Sequence, residues 1–378
     1  MKEERPLHHE CVIACVFFGR VGFNDGMVMN FASDNWAGVA EQVADSLQRH
    51  RGGFSPAYGE SDLDREVEKQ FNEVFEKEVA VFFVGTGTAA NSLALSAVSR
   101  PGGFVLCHRE SHLIEDECGA PEFFTSGGRM APIDGPMGKM GIESLKAAFK
   151  RIDPEFIHHG QPMAVSLTQA TEAGSTYSVD QISEIAEISH SHGVPLHMDG
   201  ARFANALVSL GVTPAEMTWK SGVDALSFGA TKNGCWCAEA IVFFDPEKAR
   251  QMPFIRKRAA QLFSKTRFIT AQLNAYLKDD LWLQLATHAN EMAKRLIQGI
   301  ESSADVKMAW SCESNELFVT MPTELAEDLE KSGAKFYPWP VPCGIESQIE
   351  NVCGLYRLVT SFATQQSDID QFIDLLDR

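Results

Sequence analysis

Apolar positions along the chain follow two periods. In DLDREVEKQFNEVFEKE (62–78), Leu63, Val67, Phe71, Val74 and Phe75 share one helical face. VAVFFV (79–84) is a continuous apolar run of strand length, followed by a glycine turn and a helical stretch over 88–98. Short apolar runs then alternate with helical patterns. They are GGFVLCH (102–108), PEFFTS (121–126), a helix over 142–150, MAVSLT (163–168), a helix over 179–192, VPLHMD (194–199), a helix over 202–210, VDALSF (223–228) and AEAIVFF (238–244). This alternation predicts an α/β fold, a mainly parallel sheet with helices on both faces. Beyond 245 the pattern lengthens into helices broadly spanning 253–277 and 284–301. A strand-like ELFVT (316–320), a helix over 322–332, LYRLVTS (355–361) and a terminal helix over 367–377 follow. The predicted organisation is an extension over 1–28, a large domain with an N-terminal arm over 29–280, and a smaller C-terminal α+β domain over 281–378.

Charge narrows the function. With 33 basic and 51 acidic residues the net charge is −18, which disfavours nucleic acid or an anionic membrane as a partner. Any anionic ligand must be held by a local site, so small-molecule chemistry is expected. The nine cysteines are irregularly spaced and contain no C-x-x-C pair, arguing against a disulfide framework or a structural zinc; no metal is expected. A reduced, cytoplasmic setting follows as the default. No apolar run reaches membrane-spanning length. CVIACVFF (11–18) imitates a signal-peptide core, but its basic flank is diluted by acids and no A-x-A-type site follows. The leading segment is expected to be poorly ordered or an over-called extension.

Three predicted strand ends carry chemistry, and in a parallel sheet they converge. The first is Gly85-x-Gly87-x-x-Ala90, which fits a dinucleotide fingerprint, with Glu110 at the spacing of a ribose-binding acid. A glycine turn at a helix start equally suits any phosphate. The second is Asp199, ending VPLHMD, whose plain structural reading is a helix cap. The third is Lys232 in SFGATKNG, whose plain reading is a solvated strand-end lysine. A strand-end lysine and a strand-end aspartate together match the needs of pyridoxal phosphate. The lysine forms the Schiff base and the anion keeps the ring nitrogen protonated. A nicotinamide site would leave both unexplained.

HMDGARFANA (197–206) with SFGATKNG (227–234) is a specific combination. FASDN (31–35), AYGESD (57–62), VGTGTAANSLAL (84–95), ESHLIEDECGAPEFF (110–124) and YRLVTSF (356–362) accompany it. On these segments the chain resembles the threonine aldolase/β-eliminating lyase group of fold-type-I pyridoxal-phosphate enzymes from about Asn30 onward, and within it the low-specificity L-threonine aldolases. The resemblance implies a large domain with a seven-stranded, mainly parallel sheet. It also implies reversible cleavage of L-threonine, L-allo-threonine or phenylserine-like L-β-hydroxy-α-amino acids to glycine and an aldehyde. Another pyridoxal-phosphate lyase or an aminotransferase on the same fold is the alternative. By resemblance Lys232 carries the cofactor, Asp199 meets its ring nitrogen, and Gly87 and Thr88 hold its phosphate. His112 stacks on the ring and takes part in proton transfer, and Arg202 lies near the phenolic oxygen. Ser33 and Arg357 bind the substrate carboxylate. Tyr58 and Arg267 reach in from a neighbouring subunit, implying a homo-oligomer, dimer or tetramer, with shared active sites. His158 matches a second active-site histidine, although His159 beside it leaves that alignment ambiguous. TKN stands where many relatives have SKG, so the packing past the lysine differs.

Overall fold

The computed structural model describes residues 28–376 except 154, 343–344, 346–348 and 350–353. Apart from Val28, the extension expected over 1–28 lies outside the described residues.

The central sheet has seven strands, in the spatial order Ala80–Val84, Glu239–Phe243, Ala225–Gly229, Leu196–Gly200, Gln161–Thr168, Gly103–His108 and Arg129–Ile133. Only Glu239–Phe243 runs against its neighbours; the other pairings are parallel. The inner strands Leu196–Gly200 and Ala225–Gly229 are buried along their whole length, as expected for strands covered on both faces. A cluster of Phe71, Phe75, Phe203, Phe228, Tyr276 and Trp282 fills one face. The helix Gly87–Ser96 covers the other, packing Ala90, Leu93 and Ala94 against Ile241 and Phe243.

A smaller antiparallel sheet orders Tyr337–Pro338, Gly354–Val359, Glu316–Met321 and Lys307–Met308. The helix Leu281–Glu301 joins the two units. Its first half (Leu281, Trp282, Ala286) belongs to the large core, and its second half (Ala293, Leu296, Ile300) packs with Leu317, Val319 and Phe372. The N-terminal arm is shared too: Met29–Asn30 pairs with Ala334–Lys335 beside the small domain.

Two expected elements differ. PEFFTS is not a strand but part of the helix Ala120–Phe124, entered from left-handed Gly119 with Pro121 in its first turn. The strand here is Arg129–Ile133, at the sheet edge, where a proline is tolerated and most of the strand is exposed or half-buried. The helix expected over 253–277 is split into Met252–Arg258 and Arg267–Leu277. Between them Ala260 has φ 57°, and the connecting segment sends the Gln261 side chain to accept from the Gly85 N–H at 3.0 Å.

Candidate active site

The strand ends surround a cavity of about 380 Å³, within the usual range for a small-molecule site. Gly87, Thr88, His112, Asp199 and Lys232 all line it, with Asn35, Ala201, Thr231, Trp236, Cys237 and Glu239. Gly85–Thr88 leads from the strand Ala80–Val84 into the helix Gly87–Ser96. Thr86 caps that helix: its hydroxyl accepts from the Ala89 N–H at 3.2 Å and its carbonyl from the Ala90 N–H at 3.0 Å. Those bonds leave the N–H groups of Gly87 and Thr88, at the positive end of the helix dipole, for an anion.

Asp199 is 2% exposed. One carboxylate oxygen accepts from the Ala201 N–H at 3.0 Å and the other from Asn91 Nδ2 at 2.8 Å. Asn91 Nδ2 also donates to Glu117 Oε1 at 2.8 Å, and that oxygen meets His112 Nδ1 at 2.9 Å. Because Glu117 Oε1 is already an acceptor, His112 Nδ1 carries the proton and Nε2 is the lone-pair nitrogen of the neutral ring. Burial alone would lower the His112 pKa. The Glu117 hydrogen bond and the charges of Asp199 and Glu172 outweigh it, and Lys232 opposes them in part, so the imidazole sits above its ordinary value. Burial also raises Glu117, against the lowering by its His112 and Asn91 hydrogen bonds. The two directions favour opposite partners for the proton. The two donors converging on Oε1 support the ionised carboxylate.

Arg202 does not line the cavity. It is buried, its Nε and Nη2 donating to Asp34 at 2.8 and 3.1 Å and its Nη1 3.0 Å from Glu316. Arg357, on the small domain, touches Glu316 and the Ala32 carbonyl only at 3.5 Å, and its Nε is buried without a hydrogen-bond partner. Its guanidinium lies 4.2 Å from the centre of the Trp339 ring. Ser33 caps the short helix Asp34–Trp36, its hydroxyl accepting from the Asn35 N–H; Asn35 lines the cavity, whereas Ser33 and Arg357 do not. Tyr58 is half exposed at φ 63°, and Arg267 donates weakly to the carbonyls of Gly52 and Gly53; neither lines this chain's cavity. His158 is exposed against Phe156, away from the cavity wall.

Reading the sequence by strand ends misses Asn91, Glu117 and Glu239. Asn91 is one helical turn past the phosphate-type turn, the single signal that could have flagged it. Glu117 and Glu239 join the site only through tertiary contact. His197, within the HMDGARFANA segment, is a core residue. It bridges Ser166 and Ser227 at 2.9 Å each, and burial lowers it to about 4. Among the described residues no group of three or more His, Cys, Asp or Glu could hold a metal ion, and no helix is long and apolar enough to cross a membrane.

The donor set fits pyridoxal phosphate. Two free N–H groups suit its phosphate, an amine its aldehyde and a buried anion its ring nitrogen, and Asn91 Oδ1 and Glu117 Oε2 are buried without partners beside them.

A family model described as beta-eliminating lyase matches residues 30–322. The low specificity L-threonine aldolase of Pseudomonas sp. (strain NCIMB 10558) is 40% identical over 308 residues, 81% of this chain and 88% of that one. Its namesake from Pseudomonas aeruginosa is 39% identical over 334 residues, 86% and 96% of the two chains. A solved threonine aldolase from Leishmania major superposes with a TM-score of 0.85 at 26% identity, covering 92% of this chain and 98% of that one. A serine palmitoyltransferase structure holding pyridoxal phosphate shares the fold, with a TM-score of 0.66 at 14% identity over 92% and 86% of the two chains. With the family match spanning most of its length, the chain belongs to the beta-eliminating lyase family.

Proposed function

We propose that this chain is a pyridoxal-phosphate-dependent aldolase that cleaves L-threonine, L-allo-threonine and related L-β-hydroxy-α-amino acids, phenylserine among them, reversibly to glycine and an aldehyde. The observation that carries the reading is the meeting of Lys232, Asp199, His112 and the Gly87–Thr88 helix start round one cavity. The cofactor, when bound, supplies an electron-withdrawing ring that takes up the electron pair released as the Cα–Cβ bond breaks.

Lys232 is the amine that holds the cofactor's aldehyde, and the Gly87 and Thr88 N–H groups hold its phosphate. Asp199, fixed by Ala201 and Asn91, keeps the ring nitrogen protonated. Glu117 orients His112 so that Nε2 receives the β-hydroxyl proton. Arg357, with an unpartnered buried Nε and only long contacts to its neighbours, is a guanidinium with capacity left for a carboxylate; Ser33 on the arm assists it. Arg202, engaged by Asp34 and Glu316, acts by holding the arm against the small domain.

We further propose a homo-oligomer in which Tyr58 and Arg267 complete a neighbour's cavity. Tyr58 is tied to the segment after Met252–Arg258 through its N–H to the Ser264 carbonyl, and Lys257 lies over its ring. Exposed Phe54, Phe254, Phe263 and the rim residue Trp236 give this region apolar surface suited to a second copy. His158, exposed beside Phe156, is the second active-site histidine of this proposal, reaching substrate in a neighbouring copy. The free thiols Cys107, Cys118, Cys235, Cys237 and Cys312 accord with a cytoplasmic setting.

The test is incubation with pyridoxal phosphate and each of L-threonine and phenylserine. Equimolar glycine and aldehyde are expected; keto acid with ammonia, or amino transfer to an added keto acid, would favour the alternative lyase or aminotransferase.

A further inference from the structure

Glu239 lines the same cavity as Lys232 and is 6% exposed, yet the chemistry above gives it no task. It opens the one reversed strand of the central sheet, so its start lies among the C-terminal ends of the neighbouring strands. Its register partners are Val84 and Gly229. The first runs straight into the phosphate-type turn 85–88 and the second into the turn that bears Lys232. Glu239 therefore sits between the two loops that would hold the ends of the cofactor.

Its hydrogen bonds tie it to the lysine turn. Glu239 Oε2 accepts from the Ala230 N–H at 2.8 Å, and Thr231 bears on the same carboxylate through both its hydroxyl and its backbone N–H. The Thr231 oxygen in turn accepts from the Ala238 N–H at 3.3 Å. With an ionised Glu239, the hydroxyl proton of Thr231 is committed to the carboxylate. With a protonated Glu239 the bond reverses: the acid O–H donates to Thr231 Oγ1, which has a second lone pair for it. The Thr231 proton is then free for the cavity, which Thr231 also lines.

The surroundings make that proton accessible near neutrality. Burial raises the Glu239 carboxyl to about 7, against the lowering by Thr231, the Ala230 N–H and the Lys232 charge. The other ionisable groups facing it are Cys235 and Cys237, just before its strand, and Tyr276 from the helix Arg267–Leu277; burial raises all three, which keeps them neutral. The turn 85–88 carries no ionisable side chain. A phosphate dianion arriving there adds negative charge beside a carboxylate, and like charges in a buried site favour protonation.

We propose that Glu239 is a positioning residue that holds the Lys232 turn and takes one proton from solvent when the cofactor's phosphate seats at Gly87 and Thr88, freeing the Thr231 hydroxyl to donate to that phosphate. The proton bonds to a Glu239 oxygen and no electrons are exchanged. The inference rests on the phosphate placement proposed above and is independent of the aldol step.

The test uses cofactor-free protein titrated calorimetrically at pH 8 with pyridoxal phosphate and with pyridoxal, which lacks the phosphate, in buffers of different ionisation heat. Above about 7 Glu239 is mostly ionised, so pyridoxal phosphate should draw up to about one proton more than pyridoxal. Glu239→Gln should bind pyridoxal phosphate with that excess abolished, and Thr231→Val should diminish it. Equal uptake with the two ligands in the unaltered protein, a comparison that needs no variant, would overturn the inference. So would an undiminished excess in Glu239→Gln. Failure to bind pyridoxal phosphate at all would overturn the functional reading and the inference with it; binding without the excess overturns the inference alone.

Discussion

At the scale of single residues, the imidazole of His112 is the group whose setting makes the sharpest demand. As the base for a β-hydroxyl it must be neutral, and Glu117 stabilises its charged form. Activity should therefore fall as pH drops through a raised His112 pKa. Glu117→Gln, which removes the anion, should move that acid limb of the kcat/KM profile to lower pH while His112→Ala lowers kcat by ~10²–10⁴-fold with cofactor still bound. A limb that stays in place in Glu117→Gln would remove the His112–Glu117 pair from the proton path. The partnership is invisible in ESHLIEDECGAPE, where four acids stand within seven positions of His112 and nothing in the spacing singles out one. Lys232, Asp199 and the 87–88 turn are legible because each follows an apolar strand pattern directly, and parallel topology then dictates that they meet. Asn91 and Glu117 acquire meaning only when the helix Gly87–Ser96 is laid against the short helix His112–Glu115 and the residues after it.

At the scale of elements, the close approach of two neighbouring strand ends sets the height of the lysine turn. A Cβ on Gly229 would stand 2.5 Å from the Ala201 carbonyl oxygen and 2.7 Å from that of Gly200, both backbone atoms that cannot rotate away. Gly229→Ala should cost ~1–3 kcal/mol of stability, as overpacking does. It should also weaken cofactor retention, because the strand must part from Leu196–Gly200. A thermal melt and a cofactor dialysis read the two effects; an unchanged protein in both would contradict the packing described. Elements were legible where one period dominated, as in Asp62–Val74 and Leu281–Glu301, although the first ends before the expected 78 and the second begins before the expected 284. They were not legible at 121–133. There Phe123 faces out of a one-turn helix while Phe124 is half-buried, and the true strand is a largely exposed sheet edge carrying Pro132, so aromatic content and strand identity part company. Nor could periodicity reveal the break at 259–266, since its cause is the tertiary reach of Gln261 and Phe263 to Gly85.

At the scale of the whole molecule, a buried chain of charge joins three segments. Asp34 of the arm, Arg202 of the large domain, and Glu316 and Arg357 of the small domain stand in series. Burial would raise Asp34, but Arg202 and Lys232 overcome it and hold its carboxyl below the ordinary value. Stability from a lowered carboxylate is present above the unfolded pKa and is lost as pH falls through the folded one. Asp34→Asn should thus be less stable than the parent near neutrality by ~3 kcal/mol, the scale of breaking a buried pair. The gap should close as pH falls below about 4; a gap constant with pH would mean that the charge is not the source. The proposed shared cavity is tested by mixing. Lys232→Ala and Arg267→Ala, each inactive alone, should regain activity on co-refolding, because a mixed pair contains one cavity with both native residues. A mixture as inactive as its components would make each cavity the property of one chain.

The most direct measurement is the product analysis of purified protein given pyridoxal phosphate and L-threonine, beside Lys232→Ala treated alike. Glycine and acetaldehyde in equal amounts from the first and neither from the second, which should also lack the visible absorbance of the lysine-bound cofactor, is the predicted result. Glycine release that persists in Lys232→Ala, or none from the unaltered protein carrying its cofactor, would contradict it.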